Sequence, residues 1–407
     1  MAGIYRLKGT VKHYDWGGDS FISSLLQIEN PEHRPFAEYW LGAHPNDDCR
    51  IEIEGKDVLL QDYIKKHSEV LGKKTKKKFG RLPFLLKVLD VKNMLSIQVH
   101  PFKKKAEKEF KRENKEGIPL ASPRRNYKDD NHKPELMVAM GDFWLLHGFK
   151  KKNEIKRILQ TIPEFNLISV LFEKFGYKGL YKTVMEMSQH EVNIILQPLL
   201  DRIIPLYNEN KLNKDQEDFW AARAALTFNK PQGTSDKEQE IDRGIFSIYF
   251  FNLLQLKKGD GIFQDAGVPH AYLEGLNIEI MASSDNVLRG GLTTKHIDVK
   301  ELMKHVKCEA TNAKIIKGKK YPGEIVYKTP APDFQLSSLK LKKGKSVSFS
   351  TKGPQIILLT SGQATIKDKI ESVELKMGEP AAILFNDKKV EVSALEDSIL
   401  FKASVPI

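Results

Sequence analysis

The hydrophobic period of this 407-residue chain changes twice, and that switch limits the folds open to it. Up to about residue 150, short apolar runs alternate with turns: "RIEIEG", "LPFLLKVLDV", "MLSIQVHP", "ELMVAM" and "FWLLHGF". Such runs predict strands of a mainly antiparallel structure. Between them "LLQDYIKKHSEVLG" predicts one short helix. From about 151 to 228 the period becomes helical. "SQHEVNIILQPLLDRII" opens with a capping box, Ser188 and Glu191. It then lays Val192, Ile195, Leu196, Leu199, Leu200 and Ile203 on one stripe, with a kink expected at Pro198. "NEIKRILQTI" and "KDQEDFWAARAALTF" add further helices, and the polar link "NKPQGTSDKEQE" closes this insertion.

Strands return from about 245. "LQLKKGDGIF" (254–263) is echoed by "LKLKKGKSVSF" (339–349), and "ILLTSGQATI" and "LKMGEPAAILF" repeat the strand, glycine turn, strand rhythm. Repeated short strands of this kind suggest jelly-roll or barrel modules, here two. No histidine follows His305, so any metal chemistry belongs to the first module.

Composition removes several classes of function. The N-terminal stretch lacks the apolar segment of a secretory signal, and no apolar run reaches the roughly 18–20 residues of a membrane helix. Two cysteines without ligand spacing, Cys49 and Cys308, exclude a disulfide framework and make a cytoplasmic protein the default. The net charge of +12 comes from lysine clusters at 72–80, 101–115 and 315–321. They are scattered and lack interleaved aromatics for base stacking, so solvated faces are expected and no nucleic-acid or membrane partner. A basic field would still attract a small anionic substrate.

Three segments carry candidate chemistry. In "MLSIQVHP" the residues Ser96, Gln98 and His100 share one face of a strand, which either meets solvent or lines a wet or metal-bearing interior. In "NHKPELMVAM", Glu135 shares a face with Met137 and Ala139 while Leu136, Val138 and Met140 cover the other. If both faces are covered, the carboxylate needs a partner. In "DAGVPHAYLEG", His270 follows a Gly-Pro turn. Gln98, His100, Glu135 and His270 make a plausible thiolate-free ligand set for zinc or another divalent first-row ion. Scattered side chains of these types are also common in purely structural roles.

"YKDDNHKPE" (127–135) resembles the Y-x-D-x-N-H-K-P-E signature of the type I mannose-6-phosphate isomerase family, also called phosphomannose isomerases. "HAYLEGLNIEIMASSDNVLRGGLTTK" (270–295) is similar to their longer second signature. "DWGG" (15–18), "AEYWLGAHP" (37–45) and "PFLLKVLDVKNMLSIQVHP" (83–101) match in order. The resemblance implies a mainly β fold of two cupin-like jelly-roll modules with an inserted α-helical domain. Its division would be 1–150 and 241–315 for the catalytic module, 151–240 for the helices and 316–407 for the second jelly roll. It implies one zinc per chain on Gln98, His100, Glu135 and His270, and it marks Arg289 as the catalytic arginine, with Lys133, Glu279 and Asp285 lining the site. Ser96 and Lys87 match positions that hold the substrate phosphate, and Tyr272 and Trp16 are further candidates for contact with the sugar.

Each assignment has a bland rival. Lys87 could belong to a structural ion pair, Asp285 could be a turn-former with Asn286, and at least one of Trp16 and Trp40 is expected in core packing. Two departures appear, "LRGG" where the family usually has Arg-Ala-Gly and "TTK" where it usually has Thr-Pro-Lys. Both bear on the backbone after Arg289. The implied activity is reversible isomerisation of mannose 6-phosphate and fructose 6-phosphate through an enediol, by a monomer acting on a phosphorylated hexose. A sugar-phosphate sensor would not need Arg289 and Glu279 together, and a cupin oxygenase would favour a histidine-richer iron site.

Overall fold

The computed structural model describes residues 3–46, 49–229, 240–385 and 389–406. Among these residues the strands form sheets of ten, nine and four, and their ladders are antiparallel, as the alternating runs predict. The nine-stranded sheet is the middle layer. One of its faces presents Leu339, Ile357, Leu359 and Leu400 to Ile366, Leu375, Val390 and Val392 of the four-stranded sheet. The opposite face sets Leu336, Ile356, Leu358 and Ala403 against Leu86, Val88, Leu136, Val138, Ile278 and Ile280 of the ten-stranded sheet. A strand buried on both faces loses polar alternation, which explains the uninterrupted "QIILL" at 355–359. This sheet is not built from the C-terminal part alone. Ile4–Lys8 pairs with Pro380–Ile383, and Arg50–Ile53 and Lys56–Leu59 extend its edge.

The ten-stranded sheet carries the polar interior. Its organising element is the long strand His270–Ala282, which pairs first with Phe143–Phe149 and then with Phe84–Val91 and Glu135–Ala139. The change of partner falls at Gly275, where φ is +130° and an added Cβ would lie 2.6 Å from Asp142 O. Only glycine allows that bend and that close approach. The bend folds the two halves of the sheet towards each other.

The helices pack outside this sheet. Ile155, Ile158, Phe165, Val192, Leu196, Leu199, Ile203 and Trp220 bury against Ile97, Val99, Leu146, Ala271 and Leu273. The Ser188–Glu191 capping box and all six residues of the expected stripe are in place. Pro198 does not interrupt its helix, which runs Gln189–Asn208. The non-helical residue in this region is Gly176, inside Asn166–Glu186.

Other helices differ from expectation. "GIFSIYF" lies where strands were expected to resume but forms a helix, Gly244–Phe250. Every residue in it is buried, so its sequence has no polar face to reveal a period. The segment "LLQDYIKKHSEVLG" is a helix Leu60–Lys66 followed by a 3-10 turn, Ser68–Leu71, and a second helix, Gly72–Phe79. The lysine-rich stretch Lys103–Lys115 is also helical, anchored by buried Ala106 and Glu113. Of the polar link, residues 230–239 lie outside the described residues.

The internal echo is a repeated turn. Asp260 N donates to Lys257 O at 2.8 Å and Lys345 N to Lys342 O at 2.9 Å, with Gly259 and Gly344 at positive φ.

Candidate active site

Register brings the sequence candidates together. His270 opens the long strand opposite Gln98 on one neighbour and His147 on the other. Glu135 opens its strand opposite Met281 and Gln264. Lys87 lies opposite Glu279 on one side and Trp40 on the other. Cross-strand partners project to the same face, so these groups converge inside the bent sheet. Both faces at Glu135 are indeed covered, and the residue is only 3% exposed.

His100, Glu135 and His270 form a buried group whose candidate ligand atoms lie within 4.8 Å of one another. His100 Nε2 is 3.2 Å from Glu135 Oε1, and His270 Nε2 is 3.4 Å from Glu135 Oε2. The other ring nitrogens face carbonyls at 3.0 Å, Nδ1 of His100 at Asn286 O and Nδ1 of His270 at Val268 O. A carbonyl only accepts, so each Nδ1 carries the proton and each Nε2 offers a lone pair to the centre. Among the described residues His100 Nε2 finds no hydrogen-bond partner, although it is fully enclosed. An orphaned buried lone pair beside a carboxylate fits a cation. Burial pushes the His100 imidazole down to about 4, which keeps it neutral, the form that binds metal. For Glu135, burial alone would raise the carboxyl, but Lys133 at 3.0 Å and the two imidazoles hold it well below the usual range.

A second ring of charge surrounds this group. Lys87 Nζ is 3.2 Å from Glu38 Oε2 and 3.8 Å from Glu279 Oε1, and it stands 4.6 Å from the centre of the Trp40 ring. Burial opposes its charge, yet Glu38 and Glu279 keep its ammonium well above the ordinary range. The Tyr272 hydroxyl donates to Glu279 Oε2 at 2.8 Å. Three buried carboxylates, Glu38, Glu135 and Glu279, thus face two ammonium groups, Lys87 and Lys133. Burial, with Glu135 and Glu38 adding to it against Lys87 and Lys133, pushes Glu279 up to about 7. A bound cation would draw that value down.

These groups line a small cavity of about 50 Å³ beside a larger mouth of about 610 Å³. Trp16, Ser96, Gln98, Arg289, Thr293 and Lys295 line the mouth. Burial lowers Arg289, and burial with Arg289 nearby lowers Lys295; among the described residues neither has a carboxylate partner. Two cations without anions at a cavity mouth suit an anionic ligand. Trp16 stacks on Tyr14, whereas Trp40 is buried against Leu85 and Met281. Asp285 lines neither cavity. Its carboxylate accepts from Asn46 Nδ2 at 2.6 Å and lies 3.5 Å from His44 in a separate groove of about 810 Å³.

Two groups at the site escaped the sequence reading. Glu38 shares a strand face with Trp40 in "AEYWLG", the same signal that singled out Glu135. Lys295 has no such local signal; only the packing of its loop brings it to the mouth.

The antiparallel β scaffold thus encloses an imidazole–carboxylate group that could hold a metal ion, under a mouth lined by Arg289 and Lys295. Residues 4–152 match the family model described as phosphomannose isomerase type I, catalytic domain. The mannose-6-phosphate isomerase of Shigella flexneri is 36% identical over 402 residues, covering 96% of this chain and 97% of that one. The Escherichia coli (strain K12) protein of the same name is 35% identical over 397 residues, covering 96% and 97%. The crystal structure of mannose 6-phosphate isomerase from Salmonella typhimurium bound to fructose 6-phosphate and zinc superposes with a TM-score of 0.88 at 31% identity, covering 100% of both chains. The chain belongs to the type I phosphomannose isomerase family, a family of aldose–ketose isomerases.

Proposed function

We propose that the protein is a zinc-dependent isomerase that interconverts mannose 6-phosphate and fructose 6-phosphate through an enediol. The observation that carries this reading is Nε2 of His100, without a hydrogen-bond partner among the described residues and buried beside Glu135 and His270 under a mouth lined by Arg289 and Lys295. His100, Glu135 and His270 would hold one zinc, with Gln98 supplying an amide oxygen as the fourth ligand. Zinc, when bound, supplies a Lewis acid towards the sugar's oxygens.

The reaction needs a base to carry a proton between the carbonyl carbon and its neighbour. Glu279 takes that role: it is buried, burial raises its carboxyl in the metal-free site, and Tyr272 and Lys87 face its two oxygens. Asp285 is the second candidate and lies further out. Arg289 sets a fixed guanidinium against the oxygens that gain charge. Lys133, 3.0 Å from Glu135, is the candidate for protonating the ring oxygen during opening. Ser96 and Lys87 are the phosphate partners, joined by Lys295; a phosphate reaching Lys87 must compete with Glu38 and Glu279. Trp16 forms one wall for the sugar.

In fold terms the bent ten-stranded sheet corresponds to a cupin-like jelly roll formed by 1–150 and 241–315. The stacked nine- and four-stranded sheets then correspond to a second jelly roll at 316–407, extended by Ile4–Lys8, Arg50–Ile53 and Lys56–Leu59 from the first part of the chain. The free cysteines suit a reducing cytoplasm. No helix among the described residues is long and apolar enough to cross a membrane. The protein acts as a monomer in this reading, which a sedimentation measurement checks.

The deciding experiment is a coupled assay for fructose 6-phosphate formed from mannose 6-phosphate, with and without chelator. Turnover that stops on chelation and returns with zinc is expected. Turnover that survives complete metal removal overturns the reading.

A further inference from the structure

The loop after Arg289 is held by a carboxylate from a distant part of the chain. The amides of Leu292 and Thr293 donate to Asp242, at 2.8 Å to Oδ1 and 2.9 Å to Oδ2. Oδ1 also accepts from Gly244 N at 2.7 Å, at the start of the helix Gly244–Phe250. One side chain therefore serves three amides, two of them in the loop that forms the mouth. Asp242 is itself tied to the helical region. Its amide donates to Asn229 Oδ1 at 3.1 Å, Gln189 Nε2 donates to Ile241 O at 2.9 Å, and Arg243 Nη1 donates to Met187 O at 3.1 Å. Residues 241–243 are a strap from the helices to the site.

Glycine shapes the contact on both sides. Gly291 has φ +122°, and a Cβ there would lie 2.3 Å from the Cα of Gly244; a Cβ at Gly244 would lie 2.5 Å from Leu292 N. Gly290 lets the backbone approach the helices, since a Cβ there would meet the Tyr181 hydroxyl at 2.7 Å. Arg289 is thus fixed twice. Before the loop, Gly290 N donates to Ile97 O and Ile97 N to Gly291 O, beside the Gln98–Arg289 pairing. After it, Asp242 takes the next two amides.

We propose that Asp242 is a positioning residue for Arg289, coupling the helical region to the guanidinium at the mouth. This inference rests on the reading of Arg289 as the group that meets the reacting oxygens. Displacement of such a group by about 1 Å can cost 10²-fold in rate, so the clamp has a kinetic consequence beyond stability.

The test is a double-mutant cycle on the zinc-loaded enzyme, reading kcat, KM, zinc content and Tm. Asp242→Asn keeps an oxygen for Gly244 and Leu292 but turns an amide donor towards the Thr293 N–H. It should lower kcat about tenfold, the equivalent of one charged hydrogen bond, with zinc content unchanged. In an Arg289→Lys background the same substitution should change kcat less than about twofold. Equal fold losses in both backgrounds, or an unchanged kcat in Asp242→Asn alone, overturn the inference and leave Asp242 a helix cap. A near-normal kcat for Arg289→Lys alone instead removes the parent reading, a separately recognisable result. Asp242→Ala, which deletes all three acceptors, should exceed Asn in the same direction; if it does not fold, the Asn cycle decides.

Discussion

Two interiors of this molecule are made of the same antiparallel strand and filled in opposite ways. Between the nine- and four-stranded sheets the buried cluster is Leu, Ile, Val and Ala. Inside the bent ten-stranded sheet the buried residues include Glu38, Lys87, His100, Lys133, Glu135, His270 and Glu279. The first filling is what stability asks for, at about 25 cal/mol for each Å² of apolar surface removed from water. The second is unfavourable by the same reckoning, because buried ion pairs seldom recover the desolvation of their charges. A charged interior of that size is what the proposed metal ion and anionic substrate would require.

The contrast breaks if one substitution in each interior has the same consequence. Glu135→Gln should empty the metal site and lower kcat at least a thousandfold, since several kcal/mol of charge stabilisation disappear with the ion. Ile357→Ala, in the apolar interior, should cost about 2–5 kcal/mol of stability while zinc content and kcat per folded molecule stay unchanged. Zinc analysis, turnover and denaturant unfolding on both variants decide the matter.

Glu279→Gln should follow, with a kcat loss on the order of 10²–10⁴-fold at full zinc occupancy. In the unsubstituted enzyme, kcat/KM should fall as pH drops through an apparent value at or below about 7, because the base must be ionised. Stability has the opposite sign. A carboxyl raised in the folded state binds its proton more tightly there, so in metal-free protein its contribution is present at low pH and lost as pH rises through about 7. A pH profile in which Glu279→Gln retains the acid limb would move the role of base elsewhere.

Much of this contrast was legible in the chain. The period of two put Glu135 on a strand face that is indoors if both faces are covered, as they are, and the helical stripe from Val192 to Ile203 needed only its own spacing. The capping box at Ser188 is local chemistry and forms as written. What escaped depends on partners far away in sequence. Ile4–Lys8 joins a sheet whose neighbouring strand begins at Pro380, and nothing near residue 4 announces that. Glu113 is buried in a helix of lysines because Tyr127 N, at 3.0 Å, and Arg125 meet its carboxylate from another segment. The Gly244–Phe250 helix is apolar on every side, so pattern carried no information about its period. Lys87 was recognisable as a charge in an apolar strand, but only the folded sheet reveals Glu38 and Glu279 on either side of it.

Lys87→Met sharpens the comparison by making the charged interior more like the apolar one. If Lys87 holds phosphate, KM for the sugar phosphate should rise, with kcat/KM falling about ten- to a hundredfold for a lost charge-assisted contact. The change also leaves Glu38 and Glu279 without their shared cation, so stability should fall by roughly 3–5 kcal/mol. Equal inhibition of variant and unsubstituted enzyme by inorganic phosphate, with the stability loss intact, would confine Lys87 to the ion pair.

The smallest effect expected is that of Tyr272→Phe, and it probes how finely the charged interior is adjusted. The ring should stay packed against Phe143, with which it makes an edge-to-face contact at 5.3 Å, so the variant removes one hydroxyl and little volume. That hydroxyl donates to Glu279 Oε2, and a donor to a carboxylate favours its ionised form. Without it the Glu279 carboxyl should titrate higher, and the acid limb of kcat/KM should move to higher pH. At pH 8, where the base is mostly ionised in both proteins, kcat should differ by only about three- to tenfold, the worth of one hydrogen bond. A residue that merely touches the sugar would raise KM and leave the limb in place. Full pH profiles of the two proteins separate these roles, and an unmoved limb would return Tyr272 to the substrate-binding wall.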